Sequence, residues 1–313
     1  MAEFSKTIGE IGEDIVNQFL NRIGWTNKLD NPDFRCLKPE AHRLEQSKPR
    51  STHGMDFCFG HESPLFSRRY DAMLVSSKYS TKKYPASATK KVRRFFTDVD
   101  QGIECFRRSE PYNALKRGVR GIDSSLIRGL IFYINNQNDQ PCLLSSLRDA
   151  RMQDMRNFIG IIENKRFEFV WNSIDAAERF ESLSLHSWAF AYHSTGHNLD
   201  ANAIAGEGKF LPLELLLGGP LVFRISEVAT GRRSMLICVQ ESFSEESLNS
   251  MIDLALEHSG RGWASAVRIC FDSYDSIVDK AIVESVKGRY SDRTFSACVS
   301  VSGIDKNPLN IKR

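Results

Sequence analysis

Ala72-Met-Leu-Val-Ser-Ser-Lys78 is the stretch whose reading decides the fold. A short apolar run closed by Ser-Ser-Lys reads as a buried strand over residues 72–77. Side chains on a strand alternate between its faces, so Ser76 and Lys78 share one face. A lysine at the end of an apolar strand ordinarily carries its ammonium out to solvent. Upstream, His53-Gly-Met-Asp56 leads into a second strand over residues 55–59, with residues 61–70 as the connecting loop. Asp56 alone reads as a turn aspartate after Gly54. Paired with Lys78 on the neighbouring strand, it is a candidate ligand for a cation.

Before these strands, Ile8, Ile11, Ile15, Phe19 and Ile23, with Val16 and Leu20 beside them, keep helical spacing, and Gly24 ends the run. Gly9, Gly12 and Glu13 fall close to Val16 and Leu20, which puts Glu13 at the edge of the buried face and Glu10, Asp14 and Asn17 outside it. Each helical glycine costs about 1 kcal/mol against alanine, a cost commonly offset by close packing. Residues 27–52 are polar, contain Pro32, Pro39 and Pro49, and read as a long loop. After the Lys78 strand, Val92, Phe95, Phe96, Val99, Ile103 and Phe106 form the inner stripe of a helix over residues 90–108, with strands expected at 129–134 and 166–171. This order, helix, strand, strand, helix, strand, defines a first domain over residues 1–180. Strands near 189–192, 221–225, 235–239, 266–271 and 294–301, with helices at 245–258 and 277–286, make a second, smaller α+β domain over 181–313.

The ordered set Gly9-x-x-Gly12-Glu13-Asp14, then Asp56, then Ser76-Ser77-Lys78 resembles the PD-(D/E)xK nuclease superfamily across about residues 5–170. The resemblance implies an α/β fold with a restriction-endonuclease-like core, a mixed sheet flanked by helices. It implies Mg²⁺ as cofactor, with Mn²⁺ as a substitute. Asp56 is then a metal ligand, Glu13 an additional one, and the Ser77 carbonyl a third; Lys78 is the catalytic cation. Ser76 stands where the family carries an acid, and a neutral hydroxyl is a poor Mg²⁺ ligand. Three accounts stay open: Ser76 acts as a supporting polar group through water, a carboxylate has moved to Asp100 or Glu104 on the following helix, or the site binds without cutting. The opening Ser5-Lys-Thr-Ile-Gly-Glu-Ile-Gly-Glu-Asp-Ile-Val16, with Ser76-Ser-Lys-Tyr-Ser80, is similar to the nuclease subunit of two-component bacterial anti-phage defence systems. That similarity implies a second protein subunit docked on the C-terminal domain, and hence an oligomer or hetero-complex.

Charge supports a polyanion partner. The 313 residues carry a formal net charge of only +3, yet residues 68–128 hold fifteen Lys/Arg against six Asp/Glu. Lys82, Lys83, Lys90, Arg93 and Arg94 follow Lys78 directly and are the candidate phosphate contacts. No base-reading motif accompanies them, so the expected activity is an endonuclease on DNA with low sequence specificity, with RNA as the alternative substrate. The alternative function is a catalytically degenerate nuclease fold serving as a nucleic-acid-binding scaffold.

Seven cysteines, an odd number with no Cys-x-x-Cys pair, argue against both a disulfide framework and a cysteine zinc site. His193 and His197 lack an evident third ligand for zinc. Gly218-Gly-Pro220 is followed by no Lys-Ser/Thr, which removes a phosphate-binding loop and an ATPase. No run approaches the ~18 apolar residues of a membrane span, and the Met-Ala-Glu-Phe-Ser opening has no secretory pattern. A cytoplasmic location with no membrane partner is expected.

Overall fold

The computed structural model describes residues 2–43, 48–81, 88–136, 155–180, 185–199, 206–259 and 264–305. They form two compact units: Met1–Ser63 with Arg68–Lys165, and Pro64–Ser67 with the residues from Arg166 onward.

The first unit opens with helix α1 (Ala2–Arg22), closed by Gly24 at φ +86°. Short strands β1 (Lys28–Asp30), β2 (Asp33–Arg35) and β3 (Thr52–Gly54) follow, then β4 (Phe57–Glu62) and the long β5 (Arg69–Ser80). Helices α2 (Ala88–Phe106) and α3 (Glu110–Leu115) precede β6 (Ser124–Asn135) and β7 (Ile159–Glu163). The sheet order is β1-β4-β5-β6-β7, antiparallel through β5 and parallel from β5 to β7, while β2 and β3 pair separately. A mixed sheet with helices against it is the expected restriction-endonuclease-like core.

Alternation on β5 assigns its faces. Leu74 belongs to the core shared with Val99, Ile103 and Phe106 of α2. On the opposite face α1 buries Val16, Phe19 and Leu20 completely, Ile23 just past its end is equally buried, and Phe19 meets Phe132 of β6 edge-on at 5.5 Å. Helix α1 approaches β5 closely at Gly12, where an added Cβ would lie 2.4 Å from the Cβ of Tyr79. Gly9, by contrast, has nothing within 4 Å of such an atom among the described residues. The two helical glycines therefore differ: only Gly12 is required by packing.

Residues 166–171, expected as a strand, lie inside helix α4 (Asn164–Glu178). Phe167, Phe169 and Trp171 alternate with strand period, but the buried set Phe167, Val170, Ile174 and Ala177 has helical spacing, and burial decides. The strand that fills this place in the sheet is β7, whose Ile-Gly-Ile-Ile run the sequence reading passed over. Residues 27–52 likewise contain β1 and β2 rather than loop alone.

The second unit comprises most of α4, then β8 (His186–Ala191), β9 (Glu207–Gly208), α5 (Leu213–Leu217), β10 (Leu221–Glu227), β11 (Arg233–Val239), α6 (Glu245–Ser259), β12 (Ala266–Phe271), α7 (Lys280–Arg289), α8 (Arg293–Cys298) and β13 (Val299–Gly303). Residues 294–298, expected as strand, are helical. Its sheet runs β13-β12-β11-β10-β8-β9, parallel from β11 to β13 and antiparallel elsewhere. Buried Arg166 gives its guanidinium to the carbonyls of Leu215 (2.6 Å), Leu216 (2.8 Å) and Gly219 (3.1 Å), which satisfies acceptors left open at the end of α5. Among the described residues no helix is long and apolar enough to cross a membrane.

Candidate active site

Strand β4 pairs with β5 only as far as Phe57 opposite Val75, and the Asp56 amide donates to the Val75 carbonyl at 3.2 Å. Beyond that point β5 continues for five residues, Ser76–Ser80, without β4 beside it. The side chain of Asp56 fills the gap. Its Oδ2 accepts the backbone N–H of Ser77 and the hydroxyl of Ser76 at 3.2 Å. A residue's N–H and C=O project to the same edge of a strand, so the Ser77 carbonyl lies on the Asp56 side as well.

Lys78 shares the α2-facing side of β5 with Ser76. Its ammonium stands 3.9 Å from Asp56 Oδ2, with both side chains about one-quarter exposed (30% and 22%). It also lies 5.6 Å from the centre of the Phe95 ring, and Lys91 approaches the same ring at 5.9 Å. The first turns of α2 are thereby placed next to Lys78. Lys90, Arg93 and Arg94 lie on those turns and are exposed. Lys82 and Lys83 lie outside the described residues.

Glu13 reaches the same place from the other face of the sheet, one residue beyond the Gly12 contact. Burial raises the Glu13 pKa first, and the nearby negative charge of Asp56 raises it further; a hydrogen bond from Asn31 and the charge of Lys78 act in the opposite direction. Asn31 is a site residue that sequence reasoning missed. Its backbone N–H donates to the Asp56 carbonyl at 2.8 Å while its side chain holds Glu13. It adopts φ +49°, a left-handed conformation that asparagine tolerates better than most residues. The Asp30-Asn31-Pro32 turn signal could have found it.

Two neighbouring carboxylates, Glu13 and Asp56, beside a strand-edge carbonyl, are oxygen donors suited to a hard divalent cation. The account in which a carboxylate migrated to α2 is not supported. Asp100 accepts from the backbone amides of Arg156 (3.3 Å) and Asn157 (3.0 Å) and from the Asn157 side chain (2.9 Å), which anchors a loop. Glu104 is engaged by Lys38, His42 and Arg156, which together hold its pKa below the ordinary range. His53, three residues before Asp56, is fully buried among Phe34, His42 and the α2 core rather than lining the site.

Residues 1–166 match the family of the GAPS4 protein PD-(D/E)XK nuclease domain. The chain belongs to this family. No curated protein and no solved structure matches it. The match spans α1 through β7, so Glu13, Asp56, Ser76 and Lys78 all fall within the GAPS4 nuclease domain, a nuclease of a defence system. The recognition drawn from the Gly-x-x-Gly-Glu, Asp and Ser-Ser-Lys elements thus agrees with the family.

Proposed function

We propose that this GAPS4 nuclease is a Mg²⁺-dependent endonuclease that hydrolyses DNA phosphodiester bonds with low sequence specificity, acting in anti-phage defence with a partner subunit. The observation that carries the reading is the meeting of Glu13, Asp56, the Ser77 edge and Lys78 where β4 stops. Glu13, Asp56 and the Ser77 carbonyl would hold the cation. When bound, such a cation lowers the pKa of water and offsets charge on phosphate oxygens.

The remaining chemistry belongs to the chain. The Lys78 ammonium offsets negative charge developing on the phosphate, and the Asp56 carboxylate keeps that ammonium aimed into the site. Ser76 positions Asp56 by its hydrogen bond, a supporting polar role consistent with a hydroxyl at a position where an acid is usual. Asn31 sets the separation of Glu13 and Asp56. Lys90, Arg93 and Arg94, with Lys82 and Lys83, track the phosphate backbone and carry no base readout. The first unit acts as the nuclease domain, and the second unit provides the surface for the partner.

The test is cleavage of plasmid DNA and of total RNA with Mg²⁺ or Mn²⁺, for wild type, Asp56→Asn and Lys78→Ala, with and without the partner subunit. Metal-dependent DNA cutting that falls by about 10²-fold or more in both variants is the expected result. Equal cutting by Lys78→Ala refutes the assignment. The Ser76 substitution favours one competing reading, a degenerate site, which predicts salt-sensitive DNA binding with no turnover under any condition.

A further inference from the structure

Cys36, His42, His53 and Cys105 come from four separate parts of the first unit: the end of β2, the turn that follows it, β3, and the last turn of α2. All four are buried, and one ligand-type atom from each lies within 4.8 Å of the other three. His42 Nδ1 is 3.4 Å from Cys36 Sγ, 3.5 Å from Cys105 Sγ and 3.3 Å from His53 Nε2. Zinc bonds of about 2.3 Å to sulfur and 2.0–2.1 Å to nitrogen close a tetrahedron with N···S edges of about 3.5 Å and an N···N edge of about 3.3 Å. The three separations from His42 Nδ1 match those edges.

Hydrogen bonding alone does not explain the convergence. His42 Nε2 faces the Glu104 carboxylate at 3.3 Å, which places the ring proton on Nε2 and leaves Nδ1 one lone pair. Three groups crowd that single lone pair, and one donor can use it. The surroundings are those of a metal-binding imidazole and thiolate. A carboxylate behind the histidine fixes its tautomer and orientation. The Leu37 amide donates to Cys105 Sγ at 3.2 Å, a contact that favours the thiolate over the thiol. Phe34 stacks against the His53 ring at 5.6 Å, which fixes its plane.

We propose that Cys36, His42, His53 and Cys105 bind one structural Zn²⁺ in a closed tetrahedral site, separate from the Glu13–Asp56 site. Two thiolates and two imidazoles suit zinc rather than Mg²⁺. The set fills all four positions with protein ligands, so the ion is structural. It fastens the β2–β3 segment to α2. Through His53 it also steadies the stretch that delivers Asp56 three residues later.

The test uses the full-length chain purified without chelator. Metal analysis and native mass spectrometry are expected to give about one zinc per chain, and zinc K-edge absorption a shell of two sulfurs and two nitrogens. Titration with an organomercurial should release that zinc as two thiols react, and Asp56→Asn should retain it. A Cys36→Ala/Cys105→Ala double variant, where it folds, should fall below a tenth of the wild-type content. Wild type that holds no zinc after growth in zinc-supplemented medium overturns the proposal. So does a Cys36–Cys105 disulfide in non-reduced peptides, or an oxygen-only shell lost in Asp56→Asn. Because the zinc readout needs no cleavage, it stands or falls independently of the nuclease reading.

Discussion

Replacing Gly12 by alanine tests the contact that brings Glu13 to the sheet. The added methyl would stand 2.4 Å from Tyr79 Cβ and 3.3 Å from its Cγ. Carbon atoms pack at about 3.5–4.0 Å, so α1 and β5 must separate by roughly 1 Å. The obstructing atom is a β-carbon fixed to the strand, which a rotamer change cannot move. Overpacking of this kind costs about 1–3 kcal/mol, against a gain of about 1 kcal/mol for alanine over glycine in a helix. The expected net loss is therefore up to ~2 kcal/mol. Activity should suffer more than stability, because a 1 Å misplacement of a positioned group can cost about 10²-fold in rate. Gly9→Ala is the internal control: with open space around its Cβ, it should stabilise by up to ~1 kcal/mol and leave cleavage intact. Urea unfolding and metal-dependent cleavage of plasmid DNA, measured on both variants, decide the matter. If Gly12→Ala matches Gly9→Ala in both assays, α1 does not press on β5 as described.

Two further outcomes follow from titrating groups whose pKa is shifted by partial or full burial. Glu13 has a raised pKa in the folded chain, so between its ordinary and raised values the native state binds more protons than the unfolded one, and stability falls as pH rises through that window. Glu13→Gln should accordingly stabilise the metal-free protein at neutral pH, with no benefit below the ordinary glutamate range, and should lack the stabilisation by Mg²⁺ in thermal unfolding that is expected of wild type. His258 in the second unit has its pKa lowered to about 4 by burial, by His193 and by Arg224, and His193 Nδ1 lies 3.0 Å from its Nε2. The unfolded chain then takes up protons first, so the second unit should lose stability as pH falls from 6.5 towards 4, and His258→Gln should flatten that dependence in thermal melts.

The sequence made most of the first unit readable because its elements are long and periodic. Alpha-helical spacing with a glycine stop gave α1, a short apolar run gave β5, and the Val92–Phe106 stripe gave α2. Element β7 and the start of α4 were misread for a physical reason: Phe167, Phe169 and Trp171 alternate like a strand, and only burial of Val170, Ile174 and Ala177 shows the helical face. At the candidate site, Glu13, Asp56, Ser76 and Lys78 could be named from their order; for Asn31 the Asp30-Asn31-Pro32 signal marks a turn but not its role, which depends on where that turn lands. The Cys36, His42, His53 and Cys105 group was invisible for a different reason. Its first and last members lie 69 positions apart, and the fourth sits on a helix whose docking no spacing rule encodes.

The Asp56 side chain occupies the place of a missing strand, accepting the Ser77 amide where β4 no longer can. Open strand edges invite pairing with other chains. Alanine at position 56 would strip this cover from β5 and expose a bare edge at the mouth of the site. An inactive preparation of that variant could then be a self-associated one, and loss of cutting would say little about catalysis. Asparagine keeps a carbonyl acceptor for the amide while removing the charge. In this enzyme the informative knockout is the one that leaves the sheet sealed.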